Sequence, residues 1–200
     1  GTNYQIKITA YYGNGTDVGG NVYLSNHSRT DFGDVRFTDD DGTTLLDYWM
    51  ESKVDSNNAV FWVEVAKDLS TTNQTIYIYY GKSDTTTSNG GNTFLFFDDF
   101  STDLSKWTVM IGTWTITGDG KLRGSGSARV GLYMTGSSLF DAAIDYVATT
   151  PVSDVNSHGP GCYFRGDGTL ASGGVFIRGH WHMSSNYWQF KTDTTSLVSN

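Results

Sequence analysis

The sequence predicts an all-β protein made of two tandem antiparallel β-sandwich domains. Aromatic residues form 14% of the 200-residue chain, and such residues favour pleated, half-buried surfaces. The chain has 24 glycines but only 2 prolines, and its Gly, Asn, Asp and Ser residues cluster in short runs that are typical of turns. No segment keeps a helical period of 3.6 residues for three turns, whereas short apolar segments recur between polar turns, which indicates sandwiches.

Six strands are predicted in the first half of the chain. They are expected at residues 4–11, 22–24, 35–37, 44–54, 59–65 and 75–80. The first of them alternates polar and apolar residues and should have one face in water. The segment 44–54 is rich in Leu and Met, which leaves a helix open as an alternative there. A turn cluster is predicted at 13–17 and a tight acidic turn at 39–42.

Eight further strands are predicted in the second half. They are expected at residues 107–111, 113–117, 121–123, 128–134, 140–148, 161–165, 174–178 and 187–191. Gly118, Asp119 and Gly120 form a turn of the hairpin type. A run rich in Gly, Ser, Thr and Asn at 83–93 precedes the aromatic stretch 94–107. We therefore place the boundary here, with domains at 1–92 and 93–200.

Charge and composition exclude several classes of protein. The formal net charge is −8, and nucleic-acid binding needs a basic face. No apolar run approaches the length of a membrane span, so no membrane insertion is expected within this chain. Cys162 is the single cysteine; it cannot form an intrachain disulfide and is expected to be a small buried hydrophobe rather than a nucleophile. The start Gly1-Thr2-Asn3 suggests a mature terminus or an interior fragment.

Three acceptor motifs for N-linked glycans begin at Asn14, Asn26 and Asn73. Each follows the pattern Asn-x-Ser/Thr. All three lie beside predicted turns, where a bulky glycan can be accommodated at the surface. We therefore expect an extracellular or cell-surface glycoprotein.

Two family resemblances complete this picture. Residues 4–92 resemble an uncharacterised family of archaeal and bacterial surface proteins, known only as a domain of unknown function. The matching pieces are Asn3 to Ile8, Arg29 to Phe37 (Arg-Thr-Asp-Phe-Gly-Asp-Val-Arg-Phe), Leu46 to Trp49 and Thr75 to Gly81. Members of that family usually begin one strand earlier than this chain, and no catalytic residues come with it.

The second resemblance is to a concanavalin-like (laminin-G/glucanase-type) jelly roll over residues 97–200. It rests on Asp98 to Ser101, Leu104 to Trp107 and Gly112 to Trp114. The resemblance implies a jelly-roll-like second domain that is incomplete at Asn200, since several more strands would follow. Together the two resemblances imply a secreted multidomain protein with a sugar-binding or adhesive role.

The densest group of candidate binding residues lies near the end of the chain. The carbohydrate-binding candidates are Arg178, His180, Trp181, Asn186, Tyr187 and Trp188. Aromatic rings can stack on sugar faces while the polar groups bond hydroxyls. The alternative is that the two Trp residues pack in the core. His180 and His182 share one strand face and could ligate a metal, although no third ligand is near in sequence.

Asp98 and Asp99 are candidate ligands for a structural Ca²⁺, because carboxylate oxygens are ligands that this ion prefers. The alternative is a turn whose carboxylates accept backbone N–H groups. The acidic run 39–42 lacks the spacing of a calcium loop and is interpreted as a turn. No other cofactor is expected.

Catalysis is not expected. Glu51 and Glu64 are the only glutamates in the chain, and neither has the carboxylate neighbour in sequence that a glucanase needs. We predict a non-catalytic structural or adhesive subunit of a cell-surface layer or filament; the alternative is a carbohydrate-binding module of a secreted polysaccharide-acting protein. Glycans or neighbouring subunits are the expected partners. Residues 4–11 are expected to form an open sheet edge, where Lys7 is the only charge, and a homopolymer could form by strand addition there.

Overall fold

The structure is a computed structural model that describes residues 2–70, 73–86, 88–125, 131–134, 158–164, 177–182, 187–192 and 195–199. The all-β prediction is confirmed, because these ranges hold fourteen strands and a single four-residue helix. The chain divides into two compact units, unit 1 at Gly1–Asp98 and unit 2 at Asp99–Asn200. Among the described residues, no helix has the length and apolar character needed to cross a membrane.

Unit 1 contains all six strands predicted for it. They are β1 Tyr4–Tyr11, β2 Asn21–Tyr23, β3 Arg36–Thr38, β4 Tyr48–Val54, β5 Asn58–Val65 and β6 Tyr77–Tyr79, followed by the helix α1 Gly90–Thr93. Strand β4 begins four residues later than predicted. Residues 44–46 instead fold back on β3, where Leu46 N–H donates to Phe37 O at 3.0 Å. The acidic turn predicted at 39–42 is confirmed, with Gly42 N–H donating to Asp39 O at 3.0 Å.

The main sheet of unit 1 has the strand order β2-β1-β5-β4. Strands β1 and β5 pair antiparallel along their whole length, and β4 pairs antiparallel with β5 across a bulge between Met50 and Ser52. Strand β2 instead runs parallel to β1. The prediction of a purely antiparallel sheet is therefore wrong at this edge.

The prediction that residues 4–11 form an open edge is also wrong over part of the strand. Residues Thr9, Ala10 and Tyr11 pair with β2, and Thr9 N–H donates to Gly20 O at 2.8 Å. Gly20 permits this approach, because a Cβ there would lie 2.7 Å from Lys7 O. Within the described residues, the other part of β1, from Tyr4 to Ile8, pairs with β5 on one side and with no strand on the other.

The core of unit 1 lies between this sheet and the pair β3–β6. Strand β5 shows how alternation builds it, because Ala59, Phe61, Val63 and Val65 are buried while the residues between them are only partly covered. The Phe61 ring contacts the Phe37 ring edge to face at 5.4 Å between centroids. The buried cluster also includes Ile8, Ala10, Leu24, Phe32, Val35, Leu46 and Tyr48.

The opposite face of the sheet is covered by residues 90–97, which we call the aromatic strap. Phe94 and Phe97 stack on each other at 5.8 Å between ring centroids. Both rings contact Trp49 edge to face, at 5.9 and 4.8 Å, and Phe94 also reaches Trp62 at 6.1 Å. The strap therefore packs within unit 1, which ends at Asp98, whereas the predicted boundary lies after residue 92.

Unit 2 is also built from strands. They are β7 Trp107–Ile111, β8 Thr113–Ile116, β9 Leu122–Ser125, β10 Gly131–Met134, β11 His158–Phe164, β12 Ile177–His182, β13 Tyr187–Thr192 and β14 Thr195–Ser199. The pairs β7–β10 and β8–β9 and the four-stranded sheet β11-β12-β13-β14 are all antiparallel. The hairpin turn at 118–120 is confirmed, and Gly120 adopts φ +73°. Strand β14 was not predicted, and the strand predicted at 140–148 lies outside the described residues.

Among the described residues of unit 1, one buried side-chain hydroxyl makes no hydrogen bond. Ser28 is 7% exposed, and its Oγ is sealed from solvent without a partner among the described residues. A buried hydroxyl without a partner costs free energy. We expect Ser28→Ala to raise the free energy of unfolding by about 1 kcal/mol in urea titrations. The exposed Ser25 provides the control, and a loss of stability in Ser28→Ala would show that the hydroxyl is bonded after all.

Candidate functional site

The outer surface of the β3–β6 pair carries an open groove of about 360 Å³ that we call the tyrosine groove. Its size is within the range of small-molecule sites. Arg36 of β3 lies opposite Tyr79 of β6, and residues directly opposite across a strand pair share a face. The groove is lined by Asp34, Arg36, Thr38, Gly42, Thr43, Leu45, Tyr79, Tyr80 and Lys82.

The alternation of the segment 75–80 explains why tyrosines line this surface. Ile76 and Ile78 pack against the buried cluster. Tyr77 and Tyr79 occupy the alternate positions and are 45% and 44% exposed. Leu45, at 69% exposure, continues the apolar surface on the other side of β3. Tyr79 and Leu45 therefore both present exposed surface at the groove.

The turn at 39–44 fixes one wall of the groove. Asp41 accepts hydrogen bonds from the N–H groups of Thr43 and Thr44, both at 2.8 Å, and from the Thr44 hydroxyl at 2.6 Å. These bonds, led by the Thr44 hydroxyl, hold the pKa of Asp41 well below its usual range. Gly42 follows with φ +70°, and its carbonyl accepts from the Tyr79 hydroxyl at 3.2 Å. The wall therefore orients the Tyr79 ring.

The base of the groove is tied together by Asp34, a fully buried carboxyl. Its Oδ1 accepts from Arg29 N–H at 3.0 Å and its Oδ2 accepts from Gly81 N–H at 2.6 Å. Gly81 has φ +89°, a conformation that L side chains rarely adopt. We call this set of bonds the Asp34 clamp. It joins the loop before β3 to the residues after β6, so the two sides of the groove cannot separate while it is intact.

The remainder of the Arg29 to Phe37 motif also makes structural bonds. Arg29 and Asp31 form two parallel hydrogen bonds, each at 2.9 Å, and the Arg29 interaction is the largest cause of the lowered Asp31 pKa. Phe32 is completely buried. Gly33 O accepts from Thr86 N–H at 2.8 Å. The motif that carries the family resemblance is therefore a folding motif that supports the groove.

Charges at the groove are largely balanced. Asp84 accepts from Arg36 Nη2 at 3.0 Å and pairs with Lys82 Nζ at 3.0 Å. These contacts, first that with Lys82 and then that with Arg36, lower the pKa of Asp84. The two cations thus face Asp84, and Arg36 Nε also donates to the backbone carbonyl of Asp34 at 3.4 Å. The groove presents N–H donors without a strong net positive field, which suits a neutral polar ligand better than a phosphate.

Glu64 and Asp47 form a pair of neighbouring carboxyls elsewhere in unit 1. Their separation in sequence gave no sign of this pair. Burial raises the pKa of Glu64, the charge of Asp47 raises it further, and a hydrogen bond from Gln5 opposes the shift. Asp47 in turn accepts from Asn92 Nδ2 at 3.4 Å. Neither acid lines the tyrosine groove.

The raised pKa of Glu64 gives a pH-dependent prediction. A carboxyl whose pKa is higher in the folded state destabilises that state when ionised, and the penalty disappears below its unfolded pKa. We expect Glu64→Gln to be more stable than the wild type at neutral pH, with the difference shrinking as the pH falls through the ordinary range of a carboxyl. Urea titrations across this range test it. Glu51→Gln is the control and should not stabilise, since Glu51 accepts from Trp62 Nε1 at 3.2 Å.

The carbohydrate-binding residues predicted from sequence fall on β12 and β13, apart from Asn186, which lies outside the described residues. Trp181 is directly opposite Trp188 in the register of this pair, as His182 is opposite Tyr187. Successive residues of a strand belong to opposite faces. The register therefore places Trp181 and Trp188 on one face of the strand pair and Arg178, His180 and Tyr187 on the other. Glycan binding by these residues stays a prediction.

Asp98 and Asp99 end unit 1 and open unit 2. Asp99 Oδ1 accepts from Ser101 N–H at 3.0 Å, and its bonds with Ser101 lower the pKa of Asp99. Asp99 thus makes the turn contact that was the alternative to a Ca²⁺ site. In the part of the chain that the structure describes, no three His, Cys, Asp or Glu residues are grouped to hold a metal. The Ca²⁺ site stays a prediction.

The tyrosine groove was missed from sequence, although a signal for it was present. Tyr77, Tyr79 and Tyr80 belong to a strand that was predicted, and Arg36 and Thr38 flank a phenylalanine in another. What the sequence does not show is that these two strands are neighbours and that Phe37 takes the inward position.

Comparison with known proteins gives one partial match. A family model described as Domain of unknown function (DUF2341) matches residues 31–110, so the chain is similar to that uncharacterised family over most of unit 1 and the start of unit 2. The match includes Asp34 and Gly81 of the clamp but not Arg29, together with all of the groove and the aromatic strap, and it begins after β1 and β2. No curated protein and no solved structure matches the chain. The jelly-roll resemblance of the second half stays a prediction.

Proposed function

We propose that this chain belongs to a non-catalytic extracellular surface protein with an adhesive role, and that unit 1 contacts a neutral glycan at the tyrosine groove. The observation that carries the proposal is the open groove in which Tyr79 and Tyr80, 44% and 37% exposed, stand beside Arg36 and Thr43. The three acceptor motifs and the Thr- and Asn-rich composition support an extracellular location.

The chemistry of a sugar ring fits this surface. A pyranose has an apolar C–H face, which packs on an aromatic ring, and a rim of hydroxyls, which need donors and acceptors. Tyr79 and Tyr80 supply rings, and Arg36 and Lys82 supply N–H donors. The Asp34 clamp and the turn at Gly42 hold these groups in place before the ligand arrives, which reduces the ordering cost of binding.

A glycan array tests the proposal with the whole chain. We expect retention of a subset of neutral glycans, with little change when salt is raised, because the groove has no strong net charge. Retention of strongly anionic glycans alone, lost at high salt, would contradict a neutral ligand. No retention of any glycan would contradict the adhesive role of the groove, and turnover of a bound glycan would contradict a non-catalytic function.

The proposal also covers the fold of each unit, a second glycan-binding candidate and a structural Ca²⁺ site. We infer that each unit is a β-sandwich and that unit 2 is jelly-roll-like, as its antiparallel strand pairs suggest. The predicted set of Arg178, His180, Trp181, Asn186, Tyr187 and Trp188 remains a second glycan-binding candidate. A structural Ca²⁺ bound by Asp98 and Asp99 would raise the melting temperature of the chain in a calcium-dependent way.

A second function, a structural subunit of a surface layer or filament, is favoured by the edges of unit 1. Among the described residues, β6 pairs only with β3, and the half of β1 from Tyr4 to Ile8 pairs only with β5. Uncapped edges can accept a strand from a second copy. Concentration-dependent oligomers in sedimentation, and filaments in electron micrographs, would support this function. A monomer at every concentration would contradict it.

A further inference from the structure

The three glycan acceptor motifs differ in one respect that the sequence does not show. Their asparagines, Asn14, Asn26 and Asn73, are all exposed. The motif also demands a hydroxyl two residues further on, so the transferring enzyme must reach that hydroxyl as well as the asparagine. Thr16 and Thr75 are exposed, whereas Ser28 is 7% exposed and its Oγ is sealed from solvent.

The backbone around Asn26 is also fixed by hydrogen bonds. Asn26 has φ +62°, and its N–H donates to Tyr12 O at 2.6 Å. One residue after Ser28, Arg29 N–H is held by the Asp34 clamp. Opposite this segment, a Cβ on Gly81 would lie 3.3 Å from His27 O, so the two backbones are in close contact. Exposure of the Ser28 hydroxyl therefore requires local opening of the loop.

We propose that folding closes the acceptor site at Asn26 and leaves Asn14 and Asn73 open as sites of N-linked glycosylation on the folded chain. The donor is an oligosaccharide joined through phosphate to a lipid. The amide nitrogen of the asparagine bonds to the anomeric carbon, and the bond from that carbon to the phosphate oxygen breaks. The lipid phosphate leaves with the bonding electrons, and the amide loses one proton to a base of the transferase.

A consequence is that a glycan on Asn26 reports the order of events in the cell. A chain modified before it folds can carry all three glycans, and a chain modified afterwards carries two. The proposal does not depend on what the tyrosine groove binds, because Asn14, Asn26 and Asn73 do not line it.

The test compares the folded chain with three synthetic peptides that contain residues 10–18, 22–30 and 69–77. A purified oligosaccharyltransferase that modifies all three peptides is supplied with its lipid-linked donor, and mass spectrometry gives the rate at each site. For Asn14 and Asn73 we expect similar rates in the chain and in the peptide. For Asn26 we expect the rate in the folded chain to be at least about tenfold lower than in the peptide, because only locally opened molecules can react.

Equal reactivity of Asn26 in the folded chain and in its peptide would overturn the proposal. So would folded chains in which Asn14 and Asn73 are as unreactive as Asn26. The variant Asp34→Ala, which releases Arg29 N–H and Gly81 N–H, should accelerate modification of Asn26 and leave the rate at Asn14 unchanged. If that variant does not fold, the comparison of wild-type chain and peptide still decides the question.

Discussion

Replacing Asp34 by alanine is expected to lower the free energy of unfolding of unit 1 by about 3 kcal/mol, since two backbone N–H groups would lose their buried acceptor. The two donors are Arg29 N–H and Gly81 N–H, and the carboxyl that accepts from them is completely buried. Urea titration followed by tryptophan fluorescence measures the loss, because Trp49 and Trp62 both lie in unit 1.

Asp31→Ala is the matched control for this prediction. Asp31 belongs to the same motif and pairs with Arg29 at 2.9 Å, but both side chains are more than a third exposed, at 34% for Asp31 and 39% for Arg29, and solvent-exposed ion pairs contribute about 1 kcal/mol or less. Asp34→Asn should fall between the two, because the amide keeps one acceptor but turns a donor towards another donor. A loss in Asp34→Ala no larger than in Asp31→Ala would show that the clamp does not organise the loop.

Removing both rings of the aromatic strap, in the double variant Phe94→Ala, Phe97→Ala, is expected to cost unit 1 about 3 kcal/mol. A fully buried Phe→Ala change costs about 3–5 kcal/mol, but each of these rings is only half-buried. Their loss would expose the faces of Trp49 and Trp62 to water and remove the contacts at 4.8 and 6.1 Å. Urea titration gives the size of the loss, and the fluorescence of the folded state should shift towards that of exposed tryptophan.

Leu95→Ala provides the control, because Leu95 lies between the two rings and is 81% exposed. Its substitution should change stability by less than about 0.5 kcal/mol. A chain that ends at residue 92 should behave like the double variant, and Gly90→Ala should also destabilise, because a Cβ there would lie 2.5 Å from the Phe97 ring. Stability equal to the wild type in the double variant would place the end of the folded unit before the strap.

Most strands of unit 1 could be predicted because their signal is local. Alternation of residues along β1 and β5 is visible in sequence, and the structure places β1 at the predicted bounds. The parallel pairing of β2 could not be predicted, because it depends on how a loop of nine residues, 12–20, returns to Thr9 and on the close approach at Gly20. The packing of Phe94 on Trp49 is likewise a contact between distant parts of the chain.

The candidate site was less predictable than the fold. Sequence reasoning favoured Trp181 and Trp188 because many aromatic residues are close together there. The tyrosine groove instead combines residues from three segments, such as Arg36, Gly42 and Tyr79, that only the pairing of β3 with β6 brings together. Asp34 reads as an ordinary turn residue in sequence, and its role becomes visible only when its two distant donors are seen.

The most direct test of the adhesive role is a titration of the best array ligand into three variants of the whole chain. We expect Tyr79→Ala to weaken binding about tenfold, the effect of losing one aromatic contact of about 1.4 kcal/mol. Tyr4→Ala, a change at a tyrosine that is 53% exposed and outside the groove, should bind like the wild type, as should the double variant Trp181→Ala, Trp188→Ala. Wild-type affinity in Tyr79→Ala, together with lost binding in the tryptophan double variant, would contradict the account and assign the glycan to unit 2.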